Sequence, residues 1–204
     1  MTDPTLAAQL DFLLSCDRLK SVVRTTRLHD GSRPENSAEH SWHLALMALT
    51  LAEYAPAGTD MAQVVRLLLV HDLVEIGAGD LHFDAQAEAL AAQAAAEAKA
   101  AKQLFGLLPE PQAAKFTALW QEYEVQRTPE SRFAKALDSL QPMLLTWGQT
   151  ADGAGGLGCA GAVPELTVRR VLKLKRSALA DFPQLWQAAE RLLQEAERAG
   201  VIQP

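Results

Sequence analysis

The stretch Asp60-Met61-Ala62-Gln63-Val64-Val65-Arg66-Leu67-Leu68-Leu69-Val70-His71-Asp72-Leu73-Val74-Glu75-Ile76-Gly77-Ala78-Gly79 decides how this chain folds. Its apolar residues recur at helical spacing, and Gly77 and Gly79 permit the left-handed backbone needed to leave a helix. Separations of three or four residues put Val64, Leu68, His71, Asp72 and Glu75 on one broad face, so three polar groups converge at the end of a helix long enough to be central and buried. A buried, unpaired carboxylate is costly, and a bound metal supplies the compensating charge.

Helical periodicity dominates on both sides of this stretch and β-branched, turn-bounded runs are scarce, which predicts an all-α helical bundle forming one domain over residues 1–204. A first helix is expected over about Leu6 to Lys20. An irregular segment follows, from Val22 through Thr25-Thr26 and Gly31-Ser32 to Pro34, able to carry binding groups. Asn36-Ser37-Ala38-Glu39 has the form of a capping box, with Asn36 as N-cap and Glu39 reaching back, which puts His40 in the first turn of the next helix.

Downstream, alanine-rich Gln86 to Phe105 has high helix propensity and side chains small enough for close packing or exposure. After Pro109 and Pro111, Ala113 to Gln126 reads as helical, and Thr128-Pro129-Glu130 begins the helix that carries Asp138. Pro142 removes the amide that would bond to the Asp138 carbonyl and predicts a bend there. Gly148 to Val163 reads as a flexible, glycine-rich loop, and Pro164 to Ala180 and Pro183 to Ala199 as two packing helices.

A chain of 204 residues, 49% of them hydrophobic, can bury a core of its own. The formal net charge of -6, with both signs mixed along the helices, gives no general attraction for nucleic acid or an anionic membrane, so a phosphate must be captured locally. Cys16 and Cys159 have no paired spacing and read as ordinary core or loop thiols. Met1-Thr2-Asp3-Pro4 has no signal-like pattern, and no apolar run reaches the roughly 20 residues that span a bilayer, so the expected location is the cytoplasm. Trp42, Trp120, Trp147 and Trp186 are scattered without a basic stripe and are expected in the core.

His40, His71, Asp72 and Asp138 are the candidate metal ligands. Two imidazoles with two carboxylates suit a divalent transition metal that keeps positions open for water and substrate, whereas closed structural zinc sites usually contain thiolates. The set therefore reads as that of a metal-dependent hydrolase. His-Asp pairs also arise by chance, and His29-Asp30, which precedes Gly31-Ser32, reads as a turn. Taken singly, Arg24 could face solvent or pair with a carboxylate, Glu75 could be exposed, and Asp80 could cap the segment after Gly79.

Together, His40, His71-Asp72 and Asp138 resemble the H…HD…D signature of the HD-domain metal-dependent phosphohydrolases. Arg24, Glu35-Asn36 before Ala38-Glu39-His40, and His71 to Asp80 are similar to the 5'-deoxynucleotidase branch, with visible motifs from about residue 10 to 146. The resemblance implies an all-helical, usually dimeric enzyme that removes phosphate from deoxyribonucleoside 5'-monophosphates with one divalent metal (Mn, Fe, Co, Ni or Zn). On its terms His40, His71, Asp72 and Asp138 hold the metal and Glu75 is the catalytic acid/base. Arg24 orients phosphate and Asp80 meets a sugar hydroxyl. Apart from the resemblance, Asp72 is expected to contact substrate too, as are Leu81, His82 and Phe83, which follow Asp80 in the chain. His43, one turn from His40, is expected to support or pack rather than ligate.

Two features depart from that branch. Thr25 stands where a tryptophan commonly follows the arginine, which bears on the choice between deoxyribose and ribose. The Gly153 to Gly161 stretch replaces a more polar segment, which bears on the closing wall of the pocket. Another small phosphorylated metabolite as substrate, or a non-catalytic helical protein stabilised by metal, are the competing expectations.

Overall fold

The computed structural model describes residues 3–81, 86–149 and 166–204. It is all-α apart from one short hairpin, with helices α1 (Pro4–Cys16), α2 (Ser37–Thr50), α3 (Met61–Val70), α4 (Glu75–Ala78), α5 (Ala87–Phe105), α6 (Glu110–Val125), α7 (Pro129–Trp147), α8 (Val168–Leu179) and α9 (Pro183–Arg198). Helix α7 is the central element, packed against α2, α3, α6, α8 and α9. Its Phe133, Leu137 and Met143 meet Leu44 of α2 and Leu67 and Leu68 of α3 in a core where each is essentially inaccessible to water. Burying each such side chain contributes roughly 1.5–3 kcal/mol, which fixes the α2, α3 and α7 axes relative to one another.

Local signals set the helix starts. The Asn36 side chain accepts from the Glu39 amide while the Glu39 carboxylate accepts from the Asn36 amide, so the capping box forms and starts α2 three residues before His40. Thr128 and Ser131 form a second box ahead of α7, with Pro129 in its first turn. Helix α7 runs on through Pro142 to Trp147. Gly77 lets α4 lie against α5, since a Cβ there would stand 3.0 Å from that of Ala100. The alanine-rich sequence thus packs closely at Ala100 and Ala101 and is exposed over most of its first half.

The structure corrects several sequence expectations. The segment after the first helix is a hairpin, β1 (Val23–Arg27) antiparallel to β2 (Pro34–Asn36), where Thr25 and Thr26 favour extended backbone and Gly31, at φ 71°, turns the chain. The first helix ends at Cys16 and continues as a 3-10 turn over Asp17–Ser21. The long middle helix is α only to Val70, then tightens into a 3-10 turn, His71–Val74, before α4. The helix expected from Pro164 starts at Val168. Trp42 is 64% exposed rather than in the core, because it lies on the face of α2 turned away from α3 and α7. His29-Asp30 is a turn, as expected, with Asp30 accepting from the Ser32 amide and hydroxyl. The glycine-rich stretch from residue 150, Cys159, His82 and Phe83 lie outside the described residues.

Candidate metal centre and phosphate pocket

Three elements bring the four candidate ligands together. His40 comes from the first turn of α2, His71 and Asp72 from the 3-10 turn after α3, and Asp138 from the middle of α7. His40, His71 and Asp72 each offer a ligand atom within 4.8 Å of the others. Asp138 joins them through Oδ1, 3.0 Å from His40 Nε2.

Both imidazoles are held from behind. His71 Nδ1 donates to the Leu68 carbonyl at 2.8 Å, which leaves Nε2 as the nitrogen available to ligate. That nitrogen is buried and has no hydrogen-bond partner, although Asp72 Oδ1 lies 3.0 Å away. His40 Nδ1 meets Gln141 Oε1 at 3.1 Å, turning Nε2 toward Asp138 and Asp72. The ligand atoms of His40, His71 and Asp72, one of them orphaned, with the Asp138 carboxylate against His40, are a donor set that needs a cation. The residues present therefore fit a divalent metal of the nitrogen- and oxygen-loving kind.

The ionisation states agree. Against the cost of burial, His71, His40 and Arg24 hold the Asp72 carboxyl low, at about 2. Burial also opposes charge on Asp138, but Lys135 and His40 hold it well below the usual carboxylate range. Asp138 Oδ2 accepts from Lys135 Nζ at 2.8 Å and from the Tyr123 hydroxyl at 2.7 Å, so its other oxygen is left for the shared point.

Glu75 behaves differently. Burial, then the neighbouring Asp72 charge, push its carboxyl up to about 9, against a hydrogen bond from Ser37 Oγ to Oε2 at 2.6 Å. It thus carries a proton at neutral pH beside two ionised aspartates. Arg24 enters from β1 with Nη1 3.2 Å from Asp72 Oδ2, 3.7 Å from Asp80 Oδ1 and 4.0 Å from Glu75 Oε1. Its side chain is only 12% exposed, which disposes of the solvent-facing alternative. Gly79, at φ 80° and ψ 165°, makes the bend that delivers Asp80 to this wall.

These groups line a cavity of about 420 Å³, large enough for a nucleotide-sized ligand, and Thr25 and Leu81 line it too. Several lining or supporting residues had no role in the sequence reading. Lys135 and Gln141 flank Asp138 at three-residue spacing, a signal that was legible. Lys175 stands on the buried face of α8 with Val171 and Leu179, where burial brings its amine down to about 8. A cation at helical spacing within an apolar face was its only mark. Tyr123 and the Glu35 carboxylate gave no local signal of where they point. His43 does not ligate; its Nδ1 meets Gln141 Nε2 at 3.2 Å.

The chain resembles known proteins over these same elements. The 5'-deoxynucleotidase HDDC2 of Homo sapiens is 34% identical over 138 residues, 66% of this chain and 65% of that protein. Its counterpart in Mus musculus is 33% identical over 141 residues, 68% of each chain. The chain thus spans about two thirds of the length of these curated relatives. Among solved structures, the predicted metal-dependent phosphohydrolase of Magnetospirillum magnetotacticum MS-1 is 43% identical, with a TM-score of 0.86 over 99% of this chain and 100% of its own. The HD domain family model matches residues 16–157, which hold all four candidate ligands with Arg24, Glu75 and Asp80, and the chain belongs to that family.

Proposed function

We propose that this chain is a metal-dependent phosphohydrolase that releases phosphate from nucleoside 5'-monophosphates, deoxyribonucleotides foremost. The observation that carries this reading is the orphaned Nε2 of His71, set with Asp72 and Asp138 on the wall of a cavity that also presents Arg24, and with the buried His40 3.0 Å from Asp138. In it His40, His71, Asp72 and Asp138 hold one divalent ion, with manganese, iron, cobalt, nickel and zinc all compatible with the donors. Such an ion, when bound, acidifies water and polarises a phosphoryl oxygen.

The protein's own groups account for the remaining steps. The planar donors of Arg24 bind phosphate oxygens and hold phosphorus in line with the departing nucleoside oxygen. Glu75, protonated at neutral pH, gives that oxygen its proton, and Ser37 fixes the direction from which it does so. Asp80 accepts a hydrogen bond from a sugar hydroxyl, Leu81 supplies apolar wall, and His82 and Phe83 are assigned to the nucleoside side. Thr25 is smaller than the tryptophan of the branch and leaves more room beside the sugar.

The same reading takes residues 1–204 as one domain acting in the cytoplasm as a homodimer. Trp42, Leu46 and Leu49 of α2 and Leu69 of α3 are exposed apolar residues on neighbouring helices, a surface suited to a second copy. No helix among the described residues is long and apolar enough to cross a membrane.

Phosphate release from each deoxynucleoside monophosphate and its ribonucleotide partner, with each candidate metal, tests the proposal. Turnover is expected, fastest on deoxynucleotides. Metal-dependent stability without turnover on any of them would instead mark a metal-stabilised binding protein.

A further inference from the structure

Glu35 lies in the middle of β2 and is only 2% exposed, so its carboxylate is shielded from bulk solvent. Its two oxygens serve two arms of the site. Oε1 accepts from Arg24 Nε at 3.2 Å, and Oε2 accepts from Gln141 Nε2 at 3.0 Å. Gln141, fully buried on α7, presents its other amide atom, Oε1, to His40 Nδ1.

Elementary chemistry fixes the direction of this chain. Were the Gln141 amide flipped, its carbonyl would face the Glu35 carboxylate, two acceptors in contact without a proton between them. Glu35, with His43 Nδ1 at 3.2 Å from the same Gln141 Nε2, sets the amide, and the amide sets the imidazole: His40 carries a proton on Nδ1, so that Nε2, the nitrogen that faces Asp138 and Asp72, is the one able to ligate. On the other side, the bond to Nε pins the guanidinium edge-on and leaves Nη1 facing the cavity beside Asp72 and Asp80.

We infer that Glu35 is a positioning residue shared by both halves of the site, fixing the His40 tautomer through Gln141 and aiming Arg24 at phosphate. This rests on the ligand and phosphate roles proposed above. A carboxylate that touched only one arm, or served only to fill the core, would not link the two.

Three variants separate the arms, each titrated with Mn2+ and assayed for the KM and kcat of a deoxynucleoside monophosphate at saturating Mn2+. Gln141→Leu is expected to weaken Mn2+ about tenfold and leave KM near the parent's; Arg24→Ala should do the reverse; Glu35→Gln should do both. The inference is overturned if Glu35→Gln alters Mn2+ affinity and KM by less than about twofold, or moves only one of them.

Nitrogen NMR of the metal-free parent gives a check that needs no folded Glu35 variant. His40 Nδ1 is expected to carry a proton, and finding that nitrogen bare would overturn the inference. A parent that binds Mn2+ yet releases no phosphate would remove the proposed activity and leave the tautomer and affinity results to judge Glu35. A parent with no affinity for Mn2+ or any other of the candidate metals would end both.

Discussion

His71 Nε2 lies 3.0 Å from Asp72 Oδ1 without a hydrogen bond between them, while its Nδ1 is engaged on the far side by the Leu68 carbonyl. Two adjacent residues thus turn lone pairs toward one point at a cost that only a cation relieves.

Metal should therefore stabilise the fold. With Mn2+ at a hundredfold excess over its Kd, the gain is about 2.7 kcal/mol, seen as a rise in Tm that a chelator reverses. His71→Ala should lose that rise. An unchanged parent Tm across the candidate metals would remove the proposed centre.

Replacing Glu75 by Gln keeps the hydrogen-bonding shape beside Ser37 and removes the transferable proton. Activity is expected to fall by about 10²–10⁴-fold in kcat while Mn2+ still binds. A variant with near-parental kcat would assign the proton transfer elsewhere.

The same carboxyl makes the metal-free protein pH-sensitive. Its pKa is raised from 4.5 to about 9 on folding, so between those values the folded state keeps a proton that the unfolded chain has lost. The contribution of Glu75 is therefore fully present below about pH 4.5 and fades as pH climbs through about 9. The thermal stability of the metal-free parent should fall with rising pH more steeply than that of Glu75→Gln. Parallel curves would show that the group is not held protonated.

Gly79 combines φ 80° with ψ 165°, a backbone that side chains resist. Gly79→Ala should cost roughly 1–3 kcal/mol of stability, or relax and carry Asp80 away from Arg24. Either a lowered Tm or a raised KM is expected. Parental values of both would mean that the bend is not needed to place Asp80.

Much of this was legible in the sequence, for reasons that differ from residue to residue. The capping box at Asn36 and Glu39 is a local device, complete within four residues, so it placed His40 correctly. His71, Asp72 and Glu75 were legible because their spacing and apolar neighbours demand one buried face. The hairpin was missed because its strands, Val23–Arg27 and Pro34–Asn36, are too short to show alternation. Trp42 misled because an aromatic residue says nothing of which side of α2 it occupies. The Glu35, Gln141 and Tyr123 contacts join residues far apart in the chain, and only packing of α7 against α2, α6 and β1 brings them into register.

Lys175 reaches the cavity from α8, beyond residue 157, where the family match stops. One wall of the cavity is thus built by a helix that carries none of the candidate ligands. Substitutions on that helix are expected to retune which molecules fit without replacing any candidate ligand, giving the scaffold a place to change its diet without rebuilding its engine.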